Sequence, residues 1–114
     1  MTGKTGTGRT GFELTEEQEE LQRVIRRFAQ TEIAPYVREW DDKCTFPSEV
    51  VRQLGQMGLL GVIFPPELGG SGMGYVEYVL AIEELSRVDG SVGIIVAAHN
   101  SLCTNHIYLA GNPE

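Results

Sequence analysis

Apolar residues recur at a helical spacing through most of the chain. With a period of about 3.6 residues, they mark stretches over residues 21–40, 50–57, 75–88 and 92–110. Segments rich in glycine or proline separate several of these stretches. No part of the sequence shows the strong apolar–polar alternation of a half-buried strand. The pattern therefore predicts an all-α fold, an up-and-down helical bundle of about four to five helices.

The first helix carries signals for its start and for a bend. Thr15 stands three residues before Gln18, the capping-box spacing at which each side chain can bond the backbone amide of the other. Pro35 lies inside the helical pattern, and proline removes a backbone donor and clashes with the preceding turn. We therefore predict a helix that opens at Thr15 and kinks or splits near Glu32.

The second and fourth helices also have boundary signals. Pro47 is expected in the first turn of the second helix, and Gly58 is expected to end it. Asp89 begins the Asp-Gly-Ser segment predicted to cap the fourth helix, which should run over about 92–110 and end at Gly111.

The third helix, over about residues 75–88, is predicted to be amphipathic. One of its sides should stay in water, because runs of charge on a helix are usually solvated faces. That side comprises Glu77, Glu83, Glu84 and Arg87. The apolar face comprises Tyr75, Tyr78, Val79, Ile82 and Leu85, widened by Val76 and Leu80.

The fourth helix changes character along its length. Residues 92–98 are apolar nearly all round, which is typical of a helix inside a protein. A band of uncharged polar residues follows: His99, Asn100, Ser101, Thr104, Asn105 and His106. Two interpretations of this band stay open. Either it makes hydrogen bonds between helices, or its small and polar residues let a ligand or another element approach closely.

Composition narrows the classes of function. The chain has 114 residues, enough for one domain with a core, and a formal net charge of −7. Such an acidic surface argues against nucleic acid or an anionic membrane as partner, because both require a basic face. The chain contains no run of about 18 apolar residues, so the sequence predicts no membrane-spanning helix. Residues 1–11 lack an apolar signal region, so we interpret them as a flexible lead-in.

His99, Cys103 and His106 are metal-ligand residue types that lie on one helical face. Three ligands on one straight helix span more than about 10 Å, too far to converge easily on one ion. A helix interior is also a poor setting for an activated thiolate. We therefore expect no metal site and no cysteine nucleophile in this chain.

The segment from Gly69 to Gly74 must be weighed as a phosphate-binding loop. A dinucleotide-binding loop requires G-x-G-x-x-G directly after a strand, whereas here the third glycine comes one residue early and Pro65-Pro66 precedes the segment. No Gly-Lys-Ser/Thr follows, which excludes a P-loop. A tight structural loop is therefore favoured.

Several segments, in order and at matching spacing, resemble the acyl-CoA dehydrogenase family. They are Leu14-Thr15-Glu16-Glu17-Gln18, Phe46-Pro47, Leu54-Gly55-Gln56-Met57-Gly58-Leu59-Leu60-Gly61, Pro65-Pro66-Glu67-Leu68-Gly69-Gly70-Ser71-Gly72, Glu83-Glu84-Leu85-Ser86-Arg87, Asn100-Ser101-Leu102 and Gly111-Asn112. The resemblance covers residues 12–114, which are similar to the N-terminal helical domain of that family. Asn112-Pro113-Glu114 has the form of a helix start, which favours a domain cut before its end over the alternative of a frayed natural terminus.

The resemblance implies a longer protein, in which this domain precedes a flavin-binding β-domain and a second helical bundle. Family members bind FAD between the later domains and a neighbouring subunit, are usually tetrameric, and remove two hydrogens from the Cα–Cβ bond of an acyl-CoA thioester. A glutamate in the later helical domain takes the α-proton, a hydride passes to flavin N5, and electrons usually pass to an electron-transfer flavoprotein. No acid here matches that glutamate, so we expect no catalytic residue, no bound flavin and no activity in this chain alone.

By register on Asn100-Ser101-Leu102, the resemblance implies that Ile95, Ala98, His99 and Leu102 line the acyl pocket. The family oxidises fatty and branched-chain acyl groups, and the His and Ser-Leu pattern favours a short- or medium-chain group. With a pocket wall uncovered, the isolated chain should be unstable or self-associate.

The resemblance also implies a location, the bacterial cytoplasm or the mitochondrial matrix, with the cytoplasm preferred. An alternative function is a free-standing, non-catalytic helical interaction module derived from the same family. A flavin domain encoded after residue 114 would favour the first function, and a stop codon there would favour the second.

Overall fold

The computed structural model describes residues 13–114, so the lead-in expected over residues 1–11 lies outside the described part. Within that part the regular structure is all helical, which confirms the predicted class. The helices are α1 (Glu16–Phe28), α2 (Val37–Lys43), α3 (Ser48–Gln56), α4 (Tyr75–Val88), α5 (Gly90–Ala97) and α6 (Asn105–Ala110). Between them lie a π-helical turn Ala29–Ile33, 3₁₀ turns Ala34–Tyr36 and Pro66–Leu68, and a π-helical segment Ala98–Thr104.

The predicted start and bend of the first helix are both present. The Gln18 N–H donates to Thr15 Oγ1 at 3.1 Å, and the Thr15 N–H donates to Gln18 Oε1 at 2.9 Å. Pro35 lies in the 3₁₀ turn between α1 and α2, where its missing N–H interrupts the ladder. The helix therefore continues past Glu32, as a π-helical turn, before it splits.

The other boundaries fall close to their predicted places. α3 begins one residue after Pro47, and Gly58 takes a left-handed φ of 81° just after its end. The Asp89 carboxylate accepts from the Ser91 N–H at 3.0 Å and caps α5. At the end of the chain the Glu114 N–H donates to Asn112 Oδ1 at 3.0 Å, as an N-cap asparagine would accept it.

α4 occupies a central place in the bundle, because it packs against both α1 and α5. Burial of each large aliphatic side chain there stabilises the fold by about 1.5–3 kcal/mol relative to exposure. The buried apolar cluster comprises Ile25, Ala29, Ile33, Val50, Leu54, Leu59, Val62, Ala81, Leu85, Val92 and Val96. The turn after α3 contributes two of these residues, so it is fixed to the core.

The predicted buried face of α4 is partly wrong. Tyr75, Val76 and Val79 are 69%, 51% and 58% exposed, whereas Leu80 and Ala81 are buried. α1 and α5 together select which arc of α4 is covered, and that arc is displaced from the most apolar one.

The prediction that Glu84 lies on a solvated face is also wrong, because Glu84 is 1% exposed. Arg26 and Gln22 of α1 donate to its carboxylate across the helix interface. Burial of a charge is tolerated where an opposite charge and hydrogen-bond donors surround it. The helical pattern of α4 alone contains no sign of these partners.

α5, the π-helical segment Ala98–Thr104 and α6 follow one another without a break and together form the last helix of the described chain. The first half of this last helix is less enclosed than its composition predicts. Val92, Gly93 and Val96 are buried, but Ile94 is 70% exposed. The neighbouring elements therefore cover α5 on one side only. None of the described helices combines the length and the apolarity that a membrane span requires.

Candidate functional site

Asn100 ties the last helix to the turn after α3. Its Oδ1 accepts from the Val62 N–H at 3.0 Å, and its Nδ2 donates to the carbonyls of Leu59 at 3.0 Å and Val96 at 2.9 Å. The side chain is completely buried. Buried backbone groups in irregular chain need partners, and the carboxamide supplies both a donor and an acceptor. The Asn100 side chain therefore helps to fix the position of the 59–62 turn.

Tyr78 makes a second link, between α4 and the last helix. Its hydroxyl donates to the Ala97 carbonyl at 3.0 Å and lies 2.6 Å from Ser101 Oγ. Since a phenol has one hydrogen, the Ser101 hydroxyl donates in the second contact. Hydrogen bonding between elements, one of the two interpretations of the polar band, is therefore confirmed for Asn100 and Ser101.

A shallow, largely apolar groove of about 560 Å³ runs beside the π-helical segment. It contains all four residues expected to line a pocket, and adds three that sequence reasoning missed. The lining residues are Phe46, Val51, Ile95, Ala98, His99, Leu102 and Cys103. Ile95 and Ala98 are partly buried at its floor, and Leu102 is 67% exposed. Only the tertiary packing of α3 and of the segment before it could bring Val51 and Phe46 to this face.

His99 is held at the groove by a tertiary contact. Its Nδ1 lies 2.9 Å from the Leu60 carbonyl oxygen and 3.3 Å from Thr104 Oγ1. Because a carbonyl only accepts, Nδ1 must carry the proton, and the Thr104 hydroxyl can then only accept from it. The ring is therefore oriented by the same turn that Asn100 fixes.

The π-helical segment explains why these residues meet. A π turn carries more residues than an α turn and shifts the backbone ladder by one residue. In this segment Asn100 is fully buried while its neighbours His99 and Ser101 are exposed. The segment thus sends one polar side chain inward and leaves His99 and Leu102 on the groove side.

A second apolar groove, of about 610 Å³, lies at the end of the chain. The sequence analysis does not predict this groove, although residues 59–64 are mostly apolar and the last helix ends with the apolar residues Ile107 and Leu109. Phe64 and Tyr108 meet in it edge to face, with ring centroids 5.4 Å apart. Its lining includes Leu68, Ile107 and Pro113.

The glycine-rich loop is a tight structural loop, as predicted. Its amides are occupied internally: Gly70 N–H donates to the Pro65 carbonyl, Ser71 to Gly61, Gly72 to Phe64, and Met73 to Val62, at 2.8–3.0 Å. A Cβ on Gly70 would overlap the Phe64 carbonyl. A phosphate cradle needs amides free to face the anion. This loop therefore does not fit the phosphates of a flavin nucleotide.

Glu84 and Glu77 are poorly suited to general-base chemistry. Hydrogen bonding from Arg26, opposed by burial and aided by Gln22, lowers the pKa of Glu84 below its ordinary value. A hydrogen bond from Gln18 similarly lowers the pKa of Glu77. A base working near neutral pH usually needs a raised pKa. Both carboxylates therefore act as structural anions.

The residue types that bind metals do not converge. Over residues 13–114 no three of the His, Cys, Asp and Glu side chains are grouped so that they could hold an ion. His99 and Cys103 line the apolar groove, whereas His106 is exposed on α6.

Comparison with known proteins places the chain in a family context. Residues 15–114 match the family model described as "Acyl-CoA dehydrogenase, N-terminal domain". The chain is 43% identical to the short-chain specific acyl-CoA dehydrogenase of Clostridium acetobutylicum, over 90% of this chain and 27% of that protein. It is 44% identical to the mitochondrial isovaleryl-CoA dehydrogenase of Bos taurus, over 87% of this chain and 24% of that protein.

A solved structure agrees with these relatives. This structure is described as the electron transferring flavoprotein of Acidaminococcus fermentans, in relation to a mechanism of flavin-based electron bifurcation. One of its chains superposes on the present chain with a TM-score of 0.83. The two sequences are 39% identical, and the match covers 89% of this chain and 27% of that one. The chain thus spans about a quarter of the length of the proteins that it matches.

Proposed function

This chain belongs to the acyl-CoA dehydrogenase family as its N-terminal domain, and from that premise we propose that it forms one wall of the acyl pocket in a longer FAD-dependent acyl-CoA dehydrogenase. The observation that carries the proposal is the groove, which unites Ile95, Ala98, His99 and Leu102. The residues that the family resemblance assigns to the acyl group therefore share one apolar surface.

The groove suits an alkyl tail rather than the reacting carbons. Ile95 and Ala98 offer partly buried apolar surface, and Ala98 is small enough to leave room for a chain. A tail lying there gains about 0.8 kcal/mol for each methylene that it removes from water. The role of this domain is thus to bind and orient the substrate, while the acid–base and redox groups belong to the rest of the protein.

The cofactor follows from the family and not from this domain. FAD, when bound, supplies the acceptor for the hydrogen that leaves the β-carbon. The glycine-rich loop has no free amides for phosphate, which supports a flavin site in the later domains of the longer protein. A homotetramer and an electron-transfer flavoprotein as electron acceptor complete the proposal.

Relatives narrow the substrate and the location. Their names refer to short-chain and isovaleryl groups, so we assign this protein a short- or medium-chain acyl-CoA, straight or branched. Bacterial and mitochondrial proteins both occur among them. We place this one in the bacterial cytoplasm in preference to the mitochondrial matrix.

The test compares this chain with the full-length protein that carries it. Each is incubated with FAD, excess cofactor is removed, and the flavin absorbance is recorded before and after addition of butanoyl-CoA without oxygen. We expect a flavin band that is bleached by substrate in the full-length protein, and no retained flavin in residues 1–114 alone.

Two outcomes would contradict the proposal. A stoichiometric flavin band with this chain alone would move the cofactor site into this domain. A full-length protein that neither retains flavin nor oxidises acyl-CoA, but captures a partner subunit, would favour the alternative of a non-catalytic interaction module.

A further inference from the structure

We propose that His99 makes the groove selective for the polarity of the acyl tail, with Nε2 as an acceptor that rejects long hydrocarbon tails and accepts short or hydroxylated ones. The inference rests on the acyl-pocket function proposed above. It deepens that function by naming a specificity residue and the class of tail it favours.

The hydrogen bonds of His99 determine which of its ring nitrogens carries the proton. Nδ1 donates to the Leu60 carbonyl at 2.9 Å, so in the neutral ring the lone pair lies on Nε2. The second contact of Nδ1, 3.3 Å from Thr104 Oγ1, leaves Nε2 unaffected. The hydrogen bonds of the described residues engage the ring through Nδ1 alone. Nε2 is therefore the ring nitrogen that has no hydrogen-bond partner among the described residues and can accept a hydrogen bond from water or a ligand.

The surroundings of His99 make an acceptor unusual. The rest of the groove is lined by Phe46, Val51, Ile95, Ala98 and Leu102, whose side chains are hydrocarbon, and by the Cys103 thiol, a weak donor. A saturated tail that extends to His99 would strip water from Nε2 and offer nothing in return. An unsatisfied buried acceptor is penalised, and the penalty is larger than the benefit of a typical hydrogen bond.

Two kinds of tail avoid this penalty. A tail that ends before His99 leaves Nε2 hydrated. A tail with a hydroxyl near its end donates a hydrogen bond to Nε2 and replaces the lost water. Nε2 of His99 thus discriminates between acyl tails by whether they offer it a hydrogen-bond donor, in addition to their length.

The rigidity of the ring is what turns this preference into selectivity. A free histidine would rotate away from a hydrocarbon tail and keep its water. Here Leu60 holds Nδ1, and the 59–62 turn that carries Leu60 is in turn fixed by the buried Asn100. Turning the His99 ring away from the groove that it lines therefore requires breaking the Leu60 contact.

The experiment measures kcat/KM of the full-length flavoenzyme for butanoyl-, hexanoyl-, octanoyl- and decanoyl-CoA, and for the same series hydroxylated at the terminal carbon. Three proteins are compared: wild type, His99→Leu and His106→Leu. The last is the control, since His106 is an exposed histidine of the same long helix outside the groove. We expect His99→Leu to raise the preference for decanoyl- over butanoyl-CoA by about five- to a hundredfold, with His106→Leu matching wild type.

The hydroxylated series tests the proposal without any variant. In the wild type, a terminal hydroxyl should leave kcat/KM unchanged or raise it at the chain length that reaches His99. In a purely apolar pocket the hydroxyl would lower it by about tenfold or more. An active wild type that discriminates against the hydroxyl, or equal chain-length profiles for the three proteins, would overturn the role of His99 and leave the proposed function intact. A protein that oxidises none of these thioesters would overturn both.

Discussion

The guanidinium of Arg26 donates to both carboxylate oxygens of Glu84, from Nε to Oε1 and from Nη2 to Oε2, each at 2.9 Å. This two-pronged contact joins α1 to α4. Gln22 adds a third donor to Oε2 at 3.0 Å, and Arg87 lies 3.5 Å from the same oxygen. The Glu84 side chain is 1% exposed while that of Arg26 is 44% exposed, so the pair bridges the interior and the surface.

Glu84→Gln is the first prediction. The change keeps the shape of the side chain but removes the charge that strengthens three hydrogen bonds, so the free energy of unfolding should fall by about 1–3 kcal/mol. Urea unfolding followed by far-ultraviolet circular dichroism measures it. Glu20→Gln makes the same chemical change in an exposed pair with Arg23 and should leave the midpoint nearly unchanged. Equal midpoints for the two variants would mean that burial adds nothing to the Glu84 contact.

Acid stability gives the second prediction. Arg26 lowers the pKa of Glu84 in the folded protein below the ordinary value of 4.5. The unfolded chain therefore binds the proton more readily, so the stabilisation is complete above about pH 4.5 and is lost as the pH falls through the folded pKa. Between those limits the stability of Glu84→Gln should fall less steeply with decreasing pH than that of the wild type. Parallel curves for the two proteins would contradict a depressed pKa.

Asn100→Ala tests the link between the last helix and the 59–62 turn. It leaves the Val62 N–H and the Leu59 carbonyl without their buried partner, which should cost about 2–4 kcal/mol of stability. Asn105→Ala, one helical turn later and only partly buried, is the matched control. Thermal unfolding should separate the two clearly. A comparable small loss for both would show that water replaces the carboxamide.

Gly70→Ala is expected to disrupt the glycine-rich loop. The added methyl would overlap the Phe64 carbonyl, and a backbone atom cannot move aside as a flexible side chain can. Overpacking of this kind costs about 1–3 kcal/mol. Gly90→Ala is the control, because a Cβ there meets open space and the φ of Gly90 is not left-handed. If both variants unfold at the same denaturant concentration, the loop must rearrange without strain.

The exposed apolar end of the last helix leads to a prediction about association. Ile107 is 67% exposed and Leu109 is 73% exposed, beside the groove at the end of the chain. Exposed apolar patches of this kind promote association. Sedimentation velocity of this chain at rising concentration should therefore show oligomers, and the double change Ile107→Glu and Leu109→Glu should reduce them. His106→Glu adds a charge on the same helix without removing apolar surface and should have a weaker effect.

Local chemistry made several features predictable from residues alone. The capping box at Thr15, the cap at Asp89 and the bounds 75–88 of α4 depend on side chains within one helical turn of the backbone groups concerned. The meeting of Ile95, Ala98 and Leu102 follows from spacings of three and four residues, which survive even in a π-helical segment.

The errors have a common cause. The exposed Ile94 and Val79 and the buried Glu84 were assigned from the character of their own helices. Which arc of a helix is covered depends on its neighbours, and a charged residue can lie inside once a partner reaches it from another helix. For Glu84 that partner, Arg26, is 58 residues away in the chain.

The sequence by itself determined the helical class, most helix boundaries, the family and the stripe of residues expected at an acyl tail. All of these depend on contacts between residues close in the chain or on motifs read in order. Only the tertiary structure decided that Glu84 is buried, that Asn100 fixes the 59–62 turn, and that the Leu60 carbonyl leaves Nε2 as the free nitrogen of His99. These relationships join residues about 40 to 60 positions apart, and no local pattern records which distant group will supply the opposite charge, the donor or the acceptor.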